Sequence, residues 1–168
     1  MPTRRGLLLL STLLIALAVA PAATANRPIR EVNEAQDDVV ITDQCAFPVL
    51  GHVEGREIIT TFTDREGNPV KQIGVFPGNT LTFTNLDTGE SITLVATGSF
   101  HVQAESDGSL TVMITGHGPF FSNPITGEPG IWYLNGGRVV ATFDAEGNMT
   151  SVDAVGSNLV NLCAQLAS

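Results

Sequence analysis

The sequence predicts a mainly β chain: an antiparallel β-barrel or orthogonal sandwich of about eight to ten short strands, closed by a C-terminal helix. Three observations carry this. Ser91–Glu105 alternates apolar and polar residues almost without fault, with Ile92, Leu94, Ala96, Phe100, Val102 and Ala104 on one side. Short runs of the same kind recur on both sides of it, separated by Gly-, Asp- and Asn-rich turns. Near the C-terminus the period changes, so that Leu159, Leu162, Cys163 and Leu166 share one face of a helix that Ser157 could cap.

Residues 1–25 read as a signal peptide. Arg4 and Arg5 precede an uncharged run from Gly6 to Ala20, and Ala23 and Ala25 meet the small-residue rule for cleavage. Removal of Arg4 and Arg5 would take the net charge from −9 to −11. A field of that sign disfavours nucleic acid and anionic membrane surfaces as partners. The expected destination is outside the cell. There the two cysteines, Cys45 and Cys163, read as a disulfide, since neither has a Cys or His neighbour at metal-ligand spacing.

Residues 26–36 are polar and aperiodic and read as a flexible lead-in to a single domain spanning residues 37–168. Strands are expected at Asp38–Asp43, Phe47–Val53, Arg56–Thr63, Val70–Phe76 and Thr80–Asn85, then as one long run over Ser91–Glu105. Gly98 at its centre would let that run bend. Further strands are expected at Leu110–Thr115, Ile131–Leu134, Arg138–Phe143 and Met149–Val152. Leu86-Asp87-Thr88-Gly89 sets a hairpin register pairing Phe83 with Ile92 and Leu81 with Leu94. Thr82 then meets Thr93, and Thr84 meets Ser91, on the opposite face. Ser106-Asp107-Gly108 pairs Ala104, Val102 and Phe100 with Leu110, Val112 and Ile114. Asn135-Gly136 reads as a tight hairpin between Ile131–Leu134 and Gly137–Phe143. Asp64–Asn68 and Asp144–Asn148 use nearly the same letters. Their flanks show no alignment at a fixed offset, so they read as repeated turn chemistry and not as duplication.

Chemistry-bearing motifs are few. The three histidines, His52, His101 and His117, lack ligand spacing. In the hairpin register His101 faces Met113, and His117 lies about 13 Å further along the strand. Asp64, Glu66, Asn68 and Asp144, Glu146, Asn148 alternate like the start of a calcium loop, but each Gly falls at the fourth position and Val75 and Val155 replace the bidentate Glu. No metal ligands are assigned. There is no nucleophile elbow, no Cys–His pair and no phosphate-cradling glycine loop, so no catalytic residue and no cofactor are assigned. The candidate ligand-binding residues come from Gly116–Gly130, an aperiodic stretch that leads into Trp132-Tyr133. His117, Phe120, Phe121, Trp132 and Tyr133 would line a pocket for a small molecule at a barrel rim. Alternatively, the same aromatics plug the barrel as core.

The chain resembles a family of small secreted β-rich proteins of actinomycetes. The marks are Cys45-Ala46-Phe47-Pro48-Val49, Thr84-Asn85-Leu86-Asp87-Thr88-Gly89, Gly116-His117-Gly118-Pro119-Phe120, Gly137-Arg138-Val139-Val140 and Asn161-Leu162-Cys163-Ala164. The resemblance implies export, the disulfide and a β-barrel-like domain, and it carries no activity. A looser likeness to allene oxide cyclase and dirigent barrels rests on architecture alone. The function expected from all this is an exported, non-catalytic binding or envelope-associated protein holding a small apolar ligand. The alternative is a barrel-type isomerase or cyclase, which would need an inward His or carboxylate.

Overall fold

The computed structural model describes residues 26–168; the expected signal peptide lies outside them. Ten strands form one antiparallel sheet: β1 (Ile29–Ile41), β2 (Val49–Thr63), β3 (Pro69–Phe76), β4 (Thr80–Asn85), β5 (Ser91–Val95), β6 (Gly98–Ala104), β7 (Leu110–Ser122), β8 (Pro129–Phe143), β9 (Met149–Val155) and β10 (Leu159–Asn161). A helix of one turn, α1 (Leu162–Leu166), follows. The ladder runs β10-β8-β7-β6-β3-β2-β4-β5, with β1 on the second edge of β2 and β9 on β8. No ladder among the described residues joins its two ends. The sheet is therefore curved and branched, and the closed barrel expected from sequence is not formed.

Both hairpin registers argued from the turns are present. Phe83 pairs with Ile92 and Leu81 with Leu94, and Thr82–Thr93 and Thr84–Ser91 are hydroxyl pairs at 2.9 and 2.7 Å. Phe100, Val102 and Ala104 face Ile114, Val112 and Leu110. The run Ser91–Glu105 is nevertheless two strands. At Ala96-Thr97 the backbone leaves its ladder, because Ala96 N–H donates to Asn79 O and Thr97 O accepts from His117 N–H. Strands β5 and β6 then serve different branches, on β4 and on β3 and β7.

Other expectations are corrected in the same way. Residues 29–36 are no loose lead-in: they extend β1, which pairs with β2 from Ile29↔Thr61 to Ile41↔Val49 without a shift. Nearly every β1 side chain is exposed on either face, so no alternation marked the strand. The two runs Phe47–Val53 and Arg56–Thr63 are one strand, continuous through Gly55. Asn135-Gly136 is no hairpin. It lies inside β8 as a bend, where Gly136 and Gly137 take φ of 85° and 106° and stand opposite the single residue Gly116, also at positive φ. Most of Gly116–Gly130 is ordered strand, leaving only 123–128 as a connection. Finally, α1 begins after β10 and is capped by Asn161, whose side chain accepts from Ala164 N–H at 3.2 Å; Ser157 is not the cap.

The structure also contains a repeated frame that the letters had concealed. Strands β2 and β8 begin and end 80 residues apart, at Val49 and Pro129 and at Thr63 and Phe143. Their following hairpins share a register at the same offset: Ile58↔Val75 corresponds to Arg138↔Val155, and Thr63↔Pro69 to Phe143↔Met149. Each long strand carries a long partner on one edge (β1 or β7) and two short strands in succession on the other. The loops that follow the two long strands agree too, since Asp64–Asn68 and Asp144–Asn148 lie 80 residues apart and in each the Asp side chain accepts from the Asn N–H. A further turn sequence recurs outside this offset. Asn85–Glu90 and Asn123–Glu128 both read Asn-x-x-Thr-Gly-Glu, and in both the Asn side chain accepts from the N–H two residues on.

The core lies where the β2–β4 branch folds over the first half of β8. Ile41, Val49 and Phe83 pack there with Ile131, Tyr133, Leu162 and Leu166. Cys45–Cys163, with Cα atoms 5.4 Å apart, ties the β1–β2 connection to α1. Asn85, which is 2% exposed, adds a second tie by donating its amide to Leu166 O at 3.0 Å. No helix of the described residues is long and apolar enough to cross a membrane.

Candidate functional site

Strand parity decides which way His117 points. Along β7, Val112 and Ile114 share a face with Val102 and Phe100, so an unbroken strand would place residue 117 on the other side, with Met113. Gly116 breaks the alternation. Thr115 pairs with Arg138 but His117 pairs with Asn135, and the irregularity turns His117 and Pro119 to the side of Tyr133, which pairs with Pro119 and is 5% exposed. The close approach needs glycine: a Cβ on Gly116 would lie 2.6 Å from Thr97 O, and one on Gly98 2.4 Å from Thr115 O.

The result is an apolar cavity of about 440 Å³ between the two branches of the sheet. Phe76, Leu81, Phe100 and Ile114 supply its walls, Ala35 of the edge strand β1 bounds it, and Glu57 and His117 are the ionisable residues along it. Gly74 makes room for one wall, since a Cβ there would overlap the Phe100 ring at 2.1 Å. Behind His117 stands Tyr133. Its hydroxyl donates to Val95 O at 2.7 Å and lies 3.4 Å from His117 Nδ1, with the rings stacked at 6.3 Å between centroids. Burial raises the Tyr133 hydroxyl above its ordinary pKa. Asn79, 3% exposed, accepts from Arg56 N–H at 2.7 Å and holds the rim of the cavity at the β3–β4 turn.

The five residues predicted to form one pocket do not line one cavity. His117 lines the larger one. Phe120 and Phe121 line a second of about 240 Å³ with Val112, Val139, Phe143 and Met149. Tyr133 belongs to the core and adjoins the site through His117 and through Pro119, its partner on β7. Trp132 faces away from Tyr133, pairs with Phe120, and has a buried indole N–H without a hydrogen-bond partner. Phe121 does not behave as a plug, being 50% exposed, whereas Phe120 is half-buried. Of the walls that do form the larger cavity, Leu81, Phe100 and Ile114 were legible as core-facing strand residues. Nothing in the letters said that the core would leave space there.

His52 has carboxylate company but points outward. On β2 its ring sits between Asp38 of β1 and Glu54, and the hydrogen bonds it donates to the carboxylates of Asp38 first and Glu54 second hold its pKa above the ordinary imidazole value. His101 pairs across to Ile73 and Met113 on the outer face. Among the described residues no group of three or more His, Cys, Asp or Glu side chains is placed to hold a metal ion. Asp64 and Asp144 each accept from the side chain and backbone of an Asn four residues on, which lowers both carboxyl pKa values and accounts for the shared turn letters.

Fold and site together define a disulfide-stapled, open-sheet β domain with an apolar cavity between the branches of its sheet. Compared with known proteins, the chain matches no family model, no curated protein and no solved structure.

Proposed function

We propose that this chain is an exported, non-catalytic binding protein that holds a small apolar molecule between the branches of its sheet. The single observation that carries the reading is the 440 Å³ cavity, a volume in the ordinary range of ligand sites and walled by Phe76, Leu81, Phe100 and Ile114. The Cys45–Cys163 disulfide is consistent with an oxidising, extracellular setting and supports the export half of the reading, as does the family resemblance. An isomerase or cyclase is the second reading, favoured by one observation: His117 and Glu57 line the same cavity.

N-phenyl-1-naphthylamine, an uncharged dye that brightens in apolar surroundings, tests the binding reading. Saturable one-to-one binding is expected, and Ala35→Trp, which fills the cavity from its exposed edge strand, should abolish it. Dye that fails to saturate, or that binds the folded variant equally well, would sink the proposal.

A further inference from the structure

Hydrogen-bond accounting around His117 narrows the class of ligand. Tyr133 has one hydroxyl proton, and the Val95 carbonyl at 2.7 Å takes it. Toward His117 Nδ1, at 3.4 Å, the Tyr133 oxygen can therefore only accept. For this contact to be a hydrogen bond Nδ1 carries the proton, and in the neutral ring Nε2 is then a bare acceptor. Among the described residues Nε2 has no hydrogen-bond partner. The cavity that His117 lines is walled by side chains such as Phe100, Ile114 and Pro119, which carry no hydrogen-bond donor. Ser99 and Thr115 pair on the face opposite Phe100 and Ile114, where their hydroxyls bond each other at 2.8 Å. The position of the ring is fixed by the backbone, through His117 N–H to Thr97 O at 2.9 Å and the turn at Gly116.

Charge narrows the class again. Glu57 is the other ionisable group along the cavity, and the chain as a whole carries a net charge of −9. An anionic ligand would meet repulsion inside a site of low polarity, where it is poorly screened.

We propose, resting on the binding reading above, that the cavity selects a neutral apolar molecule bearing one hydroxyl group, which donates its hydrogen bond to His117 Nε2. The recognition is of an alcohol or phenol on a hydrocarbon body. Fatty acids and other carboxylates are disfavoured by Glu57 and by the acceptor character of the histidine.

Three naphthalenes of closely similar shape test this on the intact protein: 2-naphthol, 2-methoxynaphthalene and 2-naphthoate, each displacing the dye. 2-Naphthol should bind about three- to tenfold more tightly than the methyl ether, the factor one neutral hydrogen bond supplies, and the naphthoate should bind most weakly. In His117→Leu the advantage of the naphthol should vanish while the ether is retained. An ether that binds as tightly as the phenol to wild-type protein, or a naphthoate that binds best, would overturn the hydroxyl assignment while leaving the cavity reading intact. Failure of the dye itself would remove both. Nitrogen-15 shifts of His117 supply a test without any ligand: the free protein should show the proton on Nδ1, and a proton on Nε2 would overturn the inference.

Discussion

The first four strands and the last four are the same frame under different cover. In each, a bent 15-residue strand carries a 13-residue partner on one edge and two short strands on the other, and a five-residue Asp-to-Asn turn follows. Yet β1 is exposed almost throughout, with Val32 at 53% and Val40 at 56%, while the corresponding strand β7 is half-buried along most of its length. The cause is neighbours. The far edge of β7 is taken by β6, whereas β1 has only β2. The bends differ as well: β1 follows β2 without a shift, but β7 and β8 slip twice, and the first slip turns His117 inward. Equal hydrogen-bonded frames thus acquire a surface role or a site role according to what packs against them.

The largest expected effect breaks the link between the two frames. Replacing Cys45 and Cys163 together by Ser removes a bridge across 118 residues of sequence and should cost about 4 to 5 kcal/mol in the chain-entropy model, read as the fall in unfolding free energy in urea. Unchanged stability would mean that the frames hold together without the staple. Next comes the core between them. Phe83→Ala, at a side chain 2% exposed, should cost about 3 to 5 kcal/mol, whereas Val32→Ala on the uncovered strand should stay within about 0.5 kcal/mol. The reverse order would show that β1 is covered in solution.

The bends themselves offer a finer comparison. A Cβ on Gly55 would lie 2.2 Å from Asn79 Oδ1, and one on Gly137 would lie 2.6 Å from Ser157 Cα, so each long strand passes close to the turn between its two short neighbours. Gly55→Ala and Gly137→Ala should each cost about 1 to 3 kcal/mol, since both also have positive φ. A large cost at one and none at the other would mean that the structural equivalence does not extend to energetics.

The smallest effects are electrostatic. The pKa of His52 is raised above 6.5 in the folded chain, so its contribution is complete below that value and is lost as pH rises through the folded-state value. Melting temperature should therefore drift down between roughly pH 6 and 8, and His52→Gln should flatten the drift. Asp64 and Asp144 have lowered values, so their stabilisation is present above the ordinary carboxyl range and is lost as pH falls through the folded-state values. Asn68→Ala and Asn148→Ala should lower the melting temperature by matching amounts if the twin turns are equivalent in solution, and unequal amounts would expose a difference in their surroundings.

Most of the local structure was legible in the letters. Period-two alternation and turn chemistry settled the pairing of Phe83 with Ile92 and of Phe100 with Ile114, because a hairpin register depends on residues only a few positions apart. An even cysteine count pointed to the bridge. What misled was chemistry that serves two purposes. Asn135-Gly136 offers positive φ, which a tight turn needs, and here the same backbone freedom bends a continuous strand. The apolar alternation across Ser91–Glu105 was real, but the break within it comes from backbone groups, with Asn79 O and His117 N–H drawing Ala96 and Thr97 off their ladders. Side-chain periodicity carries no record of such bonds. The inward turn of His117 depends on them together with the slip at Gly116, and so does the open space beside it. The sequence by itself determined which residues would prefer a dry face. Only the long-range pairing of the backbone decided which dry faces would meet and where they would leave a cavity.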